Sequence, residues 1–245
     1  MPTGSHNRSV ANLPYGFWFA ISFFGCALAA ILLACCIPGD HRRRRAMRAT
    51  STALFRLAAA SPKLHGAEHL PPGPAVAVAN HASYLDGLLL TAVLPENYQF
   101  VIKREVTRVP VMHFVLRRVG AHFVDRSAGT RAASDLRAIL RTAGDGGSLA
   151  FFPEGTFTAE PGLRPFRSGA FALAQRCAVP LVPITLQGTR AMLPANRWLP
   201  ARAELTVTIH RPVMPSPETA APEAMQRCRA AILSVLDEPD LARPD

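Results

Sequence analysis

The sequence predicts an α/β domain with a mostly parallel sheet flanked by helices, preceded by an N-terminal transmembrane or membrane-embedded helix. Three observations predict it. Past residue 62, short apolar runs alternate with helix-like segments, the pattern of strands joined by crossover helices. An uncharged stretch runs from Tyr15 to Ile37, and a cluster of arginines follows it at once. With 245 residues, 49% of them hydrophobic, the chain can bury one full core and still carry an appendage.

The Tyr15–Ile37 stretch is long enough to cross the roughly 30 Å hydrocarbon core as a helix. Tyr15 and Trp18 stand at one end, as interface aromatics do. Arg42, Arg43, Arg44, Arg45 and Arg48 follow the stretch, whereas only Arg8 precedes it. The positive-inside rule then places residues after 40 in the cytoplasm. A cleaved signal peptide has a shorter apolar core with its charge in front. Leu32-Leu33-Ala34-Cys35 resembles a lipoprotein cleavage box, but the arginines beyond it resist export. A buried or re-entrant hairpin is the remaining reading. Residues 41–62 read as a helix with Ala46, Met47, Ala53, Leu54, Leu57 and Ala58 on an apolar face. Such a helix either lies on anionic headgroups or is a solvated linker.

The main domain follows over 63–237, and 238–245 read as a frayed tail. Strands are expected at Ala75–Ala79, Tyr98–Ile102, His122–Val124, Leu149–Phe152, Leu181–Leu186 and Leu205–Ile209. Helices are expected near Leu85–Val93, Val109–Val119, Thr130–Ala143, Gly169–Ala178 and Pro222–Leu236. Pro71-Pro72-Gly73, Gly144-Asp145-Gly146-Gly147 and Pro194–Pro200 punctuate them. Pro183, inside a strand-like run, belongs at an edge, a bulge or a strand start.

A net charge of +10 and a pI near 10.4 point to nucleic acid, anionic membrane or phosphorylated small molecules. The arginines concentrate beside the apolar stretch and no nucleic-acid recognition motif occurs, so no nucleic-acid partner is expected. The five cysteines have no zinc spacing. Neither a metal site nor a disulfide scaffold is expected.

The chemistry concentrates at strand ends. Asn80-His81-Ala82-Ser83-Tyr84-Leu85-Asp86 follows the apolar run Ala75–Ala79, where open α/β sheets carry their sites. A neutral imidazole takes a proton from an alcohol near pH 7, and a carboxylate on its far nitrogen sets the tautomer. On one ideal helix, residues five apart diverge by about 140°. The pair therefore works only with His81 in the turn and Asp86 in the following helix. Gly120 through Asp125-Arg126 closes another strand with an arginine, and Phe152-Pro153-Glu154-Gly155-Thr156 a third with a carboxylate, a glycine and a hydroxyl. Gly155 permits a tight turn whose N–H groups can cradle an oxyanion. Val182-Pro183-Ile184 stands in the next run.

These segments, in this order, resemble the glycerolipid acyltransferases typified by bacterial 1-acylglycerol-3-phosphate acyltransferases. The family's N-H-x4-D block is matched by Asn80, His81 and Asp86, and its G-x4-D/N-R block by Gly120, Asp125 and Arg126. F-P-E-G-T is matched by Phe152–Thr156 and V-P-I by Val182-Pro183-Ile184, while Lys103-Arg104-Glu105-Val106 matches the family's K-x-E-L loosely. Leu163 through Ala170 also looks like the family's lead into a helix. The resemblance covers about residues 63–212. It departs at Phe157-Thr158, where family members often carry Arg-Ser; Arg126, Arg164 or Arg167 would then hold an acceptor's phosphate.

The resemblance implies a glycerol-3-phosphate acyltransferase-like fold and acyl transfer from an acyl-CoA or acyl carrier protein thioester to a lysolipid hydroxyl. The leading acceptor is 1-acyl-sn-glycerol-3-phosphate, giving phosphatidic acid in phospholipid biosynthesis. Alternatives are another lysophospholipid or lyso-ornithine lipid, or thioester hydrolysis. His81 and Asp86 are the expected catalytic residues. Asn80, Lys103, Arg126, Glu154, Gly155 and Thr156 are expected to bind substrate, and the backbone of Val182, Pro183 and Ile184 to serve the oxyanion. No cofactor is implied, and the expected place is the bacterial inner membrane, with the domain facing the cytoplasm.

Overall fold

A computed structural model describes residues 13–124, 130–215 and 221–242. Strands form at Lys63–His65 (β1), Val76–Ala79 (β2), Tyr98–Lys103 (β3), His122–Val124 (β4), Ser148–Phe151 (β5), Leu181–Gln187 (β6) and Thr206–Ile209 (β7). They make one sheet in the order β1-β7-β6-β2-β5-β3-β4. Every pairing is parallel except β6 with β7. Five parallel strands therefore end at one edge, and the loops that leave β2 and β5, direct neighbours, stand side by side.

The apolar runs made six strands predictable, but not β1. Lys-Leu-His is exposed throughout and carries no apolar run to read. It is an edge strand held by its register with β7, Lys63↔Thr206, and its lysine suits an edge that must not recruit another chain. Pro183 lies in an interior strand, at a bulge. Ile184 pairs with Ile209, while the next bridge joins Leu181 to Val213. Three steps on β6 thus face four on the opposite chain, and the missing proline N–H falls where the ladder is already broken.

The main helices are Leu13–Cys36 (α1), Asp40–Leu57 (α2), Asp86–Val93 (α3), Pro110–Arg118 (α4), Thr130–Gly144 (α5), Gly169–Cys177 (α6) and Ala221–Leu233 (α8), with a single turn at Thr189–Met192 (α7). Alternate residues of β2 serve opposite faces. Ala77 and Ala79 pack with Leu89 and Leu90 of α3 and with Leu54, Phe55, Tyr15 and Phe19 of the N-terminal helices. Val76 and Val78 pack with Ile139, Phe171, Ala174 and Cys228 from α5, α6 and α8.

Helix α1 is long and apolar enough to cross a membrane, but it touches the domain at both ends. Tyr15 and Phe19 are buried in the core, and a Cβ on Gly16 would sit 3.1 Å from Leu199 Cβ. At the far end, the Arg118 guanidinium donates to Ala34 O at 3.0 Å and Cys35 O at 3.2 Å. Its outward stripe is apolar: Phe17, Ile21, Phe24, Leu28 and Leu32 are all more than half exposed. A helix of 24 residues is about 36 Å long. Standing upright across a bilayer, it would carry one end away from a domain it contacts at both.

Arginines of α2 tie it to the domain as well. Arg44 Nε donates to Glu96 O at 2.6 Å, and Arg45 to Glu96 Oε1 at 3.0 Å. Arg43 Nε donates to Ile37 O at 2.8 Å, and Arg48 pairs with Glu96 at 3.6 Å. Arg44, Arg45 and Arg48 fasten α2 to the segment before β3, a stronger commitment than a solvated linker makes. The first residues of the expected tail are not frayed, since Pro239 O accepts from Leu163 N–H and Leu241 N–H donates to Leu163 O. Glu238–Leu241 therefore form a strap bridged to Leu163 through Asp240.

Candidate active site

Beyond Ala79 the chain leaves the sheet through Asn80, which is 2% exposed. Its amide accepts from Leu186 N–H at 2.7 Å and donates to Leu186 O at 2.9 Å. The end of β2 is thereby fixed to its neighbour β6. Six residues later the turn closes on itself, because Asp86 opens α3 and one carboxylate oxygen collects the turn's donors. Oδ2 accepts from Ala82 N–H at 2.6 Å and Ser83 N–H at 2.8 Å, and faces His81 Nδ1 at 2.8 Å. A carboxylate at a helix start also lies in the favourable field of the unpaired N–H groups. The five-residue spacing that fails on one helical face succeeds across this turn.

With Nδ1–H donated to the fully buried Asp86, the His81 tautomer leaves a lone pair on Nε2. Two rings fix the imidazole plane. Phe152 stacks on it at 4.2 Å and 18°, and Phe157 leans on it at 4.5 Å and 56°. Tyr84 meets Phe157 edge-on at 4.8 Å.

Glu154, expected to bind substrate, braces the two loops instead. Its Oε1 accepts from His81 N–H at 2.6 Å and Oε2 from Arg164 N–H at 2.9 Å. The carboxyl is 4% exposed, and burial pushes its pKa up to about 7 against the pull of those two N–H groups. The nearby Asp86 charge raises it further, and Arg190 lowers it. Gly155 has φ +73°, the left-handed conformation a glycine adopts freely, and its N–H donates to Phe152 O at 3.0 Å. Thr156 is exposed at this strand end. Lys103 closes β3, one strand further out, and pairs with Glu105 at 2.8 Å.

Asp125 and Arg126 lie outside the described residues. The oxyanion reading of Val182, Pro183 and Ile184 is corrected. Proline carries no N–H, and Val182 and Ile184 are fully buried, in register with Ala77 and Ala79 of β2. That backbone belongs to the sheet.

Sequence reasoning missed the site's supports. Phe157 stood out only as a departure, and nothing marked it as a ring against His81. Arg190 and Arg229 belong to no motif, yet they reach the loop after β5: Arg190 donates to Thr158 O, and Arg229 to Leu163 O and Arg164 O, both at 2.6 Å. Their burial shows only in the fold, where a buried arginine needs partners.

A family model described as Acyltransferase matches residues 61–187. A chloroplastic 1-acyl-sn-glycerol-3-phosphate acyltransferase of Brassica napus is 33% identical over 61% of this chain and 44% of its own length. The 1-acyl-sn-glycerol-3-phosphate acyltransferase of Saccharomyces cerevisiae is 30% identical over 62% of this chain and 51% of its own. The chain thus spans about half the length of these curated relatives. The sheep alpha form is 30% identical over 72% of this chain and 63% of its own. In fold, the chain is similar to the crystal structure of the 1-acyl-sn-glycerophosphate acyltransferase PlsC from Thermotoga maritima. The TM-score is 0.73 at 21% identity, covering 93% of this chain and 97% of that one.

Proposed function

The chain belongs to the Acyltransferase family, and on that premise we propose that it moves a fatty acyl group from a thioester to the free hydroxyl of a lysolipid. The acceptor is 1-acyl-sn-glycerol-3-phosphate and the product phosphatidic acid, a step of phospholipid biosynthesis. The observation that carries the reading is the 2.8 Å contact of His81 Nδ1 with Asp86 Oδ2, which leaves Nε2 as the base at the sheet's C-terminal edge. The names of the relatives support the choice of acceptor.

His81 Nε2 takes the hydroxyl proton as the oxygen attacks the thioester carbonyl carbon. Asp86 stabilises the imidazolium that forms. The C–S bond then breaks, and the leaving thiolate takes the proton back from Nε2. No G-x-S-x-G elbow offers a serine nucleophile, so transfer is direct and needs only the two substrates. The exposed Thr156 serves the oxyanion. Lys103, Arg126, Arg164 and Arg167 supply the positive charge for the acceptor phosphate, in place of the arginine that Phe157 replaces. Helix α1 sinks lengthwise into the cytoplasmic face of a bacterial inner membrane on its apolar stripe, and so holds the site at the leaflet that contains its acceptor.

The test offers the purified chain labelled acyl-CoA or acyl carrier protein in vesicles with a panel of lysolipids. The panel includes 1-acyl-sn-glycerol-3-phosphate and lyso-ornithine lipid. Label is expected in phosphatidic acid. Label in another acylated lipid would keep the chemistry and replace the acceptor. Free fatty acid released at the same rate with and without lysolipid would replace transfer by hydrolysis.

A further inference from the structure

The loop between β5 and α6 presents Phe152, Glu154 and Phe157 to His81, but its own length does not hold it there. Between Thr158 and Arg164 its backbone groups are met from far along the chain. Thr158 O accepts from Arg190. Gly162 N–H donates to Glu238 Oε2 at 2.7 Å. Leu163 N–H donates to Pro239 O at 2.8 Å, while Leu163 O accepts from Leu241 N–H at 3.0 Å and from Arg229. Arg164 O accepts from Arg229, and Arg164 N–H is the one that reaches Glu154.

The same two arginines grip the strap. Arg190 forks onto Glu238 at 2.8 and 3.0 Å, and Arg229, 5% exposed in its side chain, pairs with Asp240. Gly162 records how close the strap lies, since a Cβ there would fall 2.5 Å from Leu241 Cγ. Buried backbone groups need partners, so without the strap these must find water, and the loop must open to let it in.

We propose that the strap Glu238–Leu241, clamped by Arg190 and Arg229, is a positioning element of the active site. It sets the β5–α6 loop so that Glu154 and the two phenylalanines hold the His81 imidazole in place. The proposal rests on the acyl-transfer reading for its kinetic consequence and on the loop geometry alone for its structural one. None of these strap residues meets the reacting atoms. They act through the loop, and a catalytic group displaced by about 1 Å costs up to about a hundredfold in rate.

The experiment compares the full chain with a chain ending at Asp237 and with Arg190→Ala, which cuts the clamp but keeps the strap. Transfer kinetics are measured beside the imidazole proton resonances of labelled histidine, with His81 assigned by His81→Gln. Both variants are expected to lose about tenfold to a hundredfold in kcat, with the acyl-donor KM within about twofold of the full chain. The His81 resonance, shifted by the two flanking rings, should move, while those of His65 and His210 stay. A peptide of residues 237–242 added in trans should restore part of the rate to the shortened chain. Full kcat and an unmoved His81 resonance in Arg190→Ala would overturn the proposal. So would all histidine resonances shifting together in that variant, which marks general destabilisation. If the full chain performs no transfer but His81 still moves alone, the strap stands and the functional reading falls.

Discussion

The turn from Asn80 to Asp86 and the loop from Phe152 to Ser168 meet at one imidazole, yet the contacts that set their shapes differ in range. The turn closes within seven residues, with Ala82, Ser83 and His81 all converging on Asp86 Oδ2. The loop is closed from a distance by Arg190, Arg229 and the strap, whose Glu238 meets Gly162 from 76 positions away. The turn's carboxylate pairing is local, and remote contacts reach it only at its backbone and flanks, through Asn80 to Leu186, His81 N–H to Glu154 and the Ser83 hydroxyl to Leu193 O. A loop closed remotely ties the placement of its rings and carboxyl to packing elsewhere, so changes far from His81 are felt there.

Substitutions can break this contrast. Asp86→Asn removes the charge that the turn is built around and is expected to lower kcat by about a thousandfold, measured at saturating substrates. A loss of only a few-fold would mean that the turn does not depend on its carboxylate.

Glu154 joins the two regions and gives the next largest effect. Its folded-state pKa of about 7 lies above the ordinary 4.5, so the folded chain binds this proton more tightly than the unfolded one. The associated stabilisation is complete below about pH 4.5 and is lost as the pH rises through about 7, amounting to on the order of 3 kcal/mol. Unfolding midpoints across that window should therefore fall with rising pH in the wild type and change less in Glu154→Gln. Parallel pH profiles would remove Glu154 from the account.

Phe157→Leu keeps an apolar contact but loses one of the two rings on His81, and about a tenfold fall in kcat is expected. An unchanged rate would show that Phe152 alone sets the imidazole plane. Thr158→Ala is the smallest change. Arg190 holds the Thr158 carbonyl, and the hydroxyl makes only a 3.4 Å contact to Glu160 O. Stability should stay within about 0.5 kcal/mol of wild type by thermal unfolding. A larger drop would mean that the loop depends on its side chains.

The same contrast explains what could be read from the sequence. Six strands announced themselves as apolar runs, and His81, Asp86 and the turn between them lie in one short segment. Pro183 foretold an edge, a bulge or a strand start, and the bulge is the one the fold uses, because its missing N–H must be accommodated locally. By contrast, Lys63–His65 became a strand only because Thr206–Ile209 lies beside it. Glu154 looked like a ligand for substrate until its two backbone donors, from His81 and from Arg164, were seen. The backbone of Val182 and Ile184 looked available to an oxyanion until the sheet enclosed it. Hydropathy found α1 but held no trace of Arg118, which reaches its last turn from 84 residues away. Contacts made across such distances leave no spacing to read.

The most direct measurement follows thiol release and lysolipid acylation together, by wild type and His81→Ala, in the same vesicles with acyl-CoA and 1-acyl-sn-glycerol-3-phosphate. The account predicts that wild type releases one thiol for each phosphatidic acid formed. It also predicts that His81→Ala, folded by circular dichroism, loses both by at least about a thousandfold. Acyl transfer persisting in His81→Ala, or wild-type thiol release running ahead of lipid acylation, would contradict it.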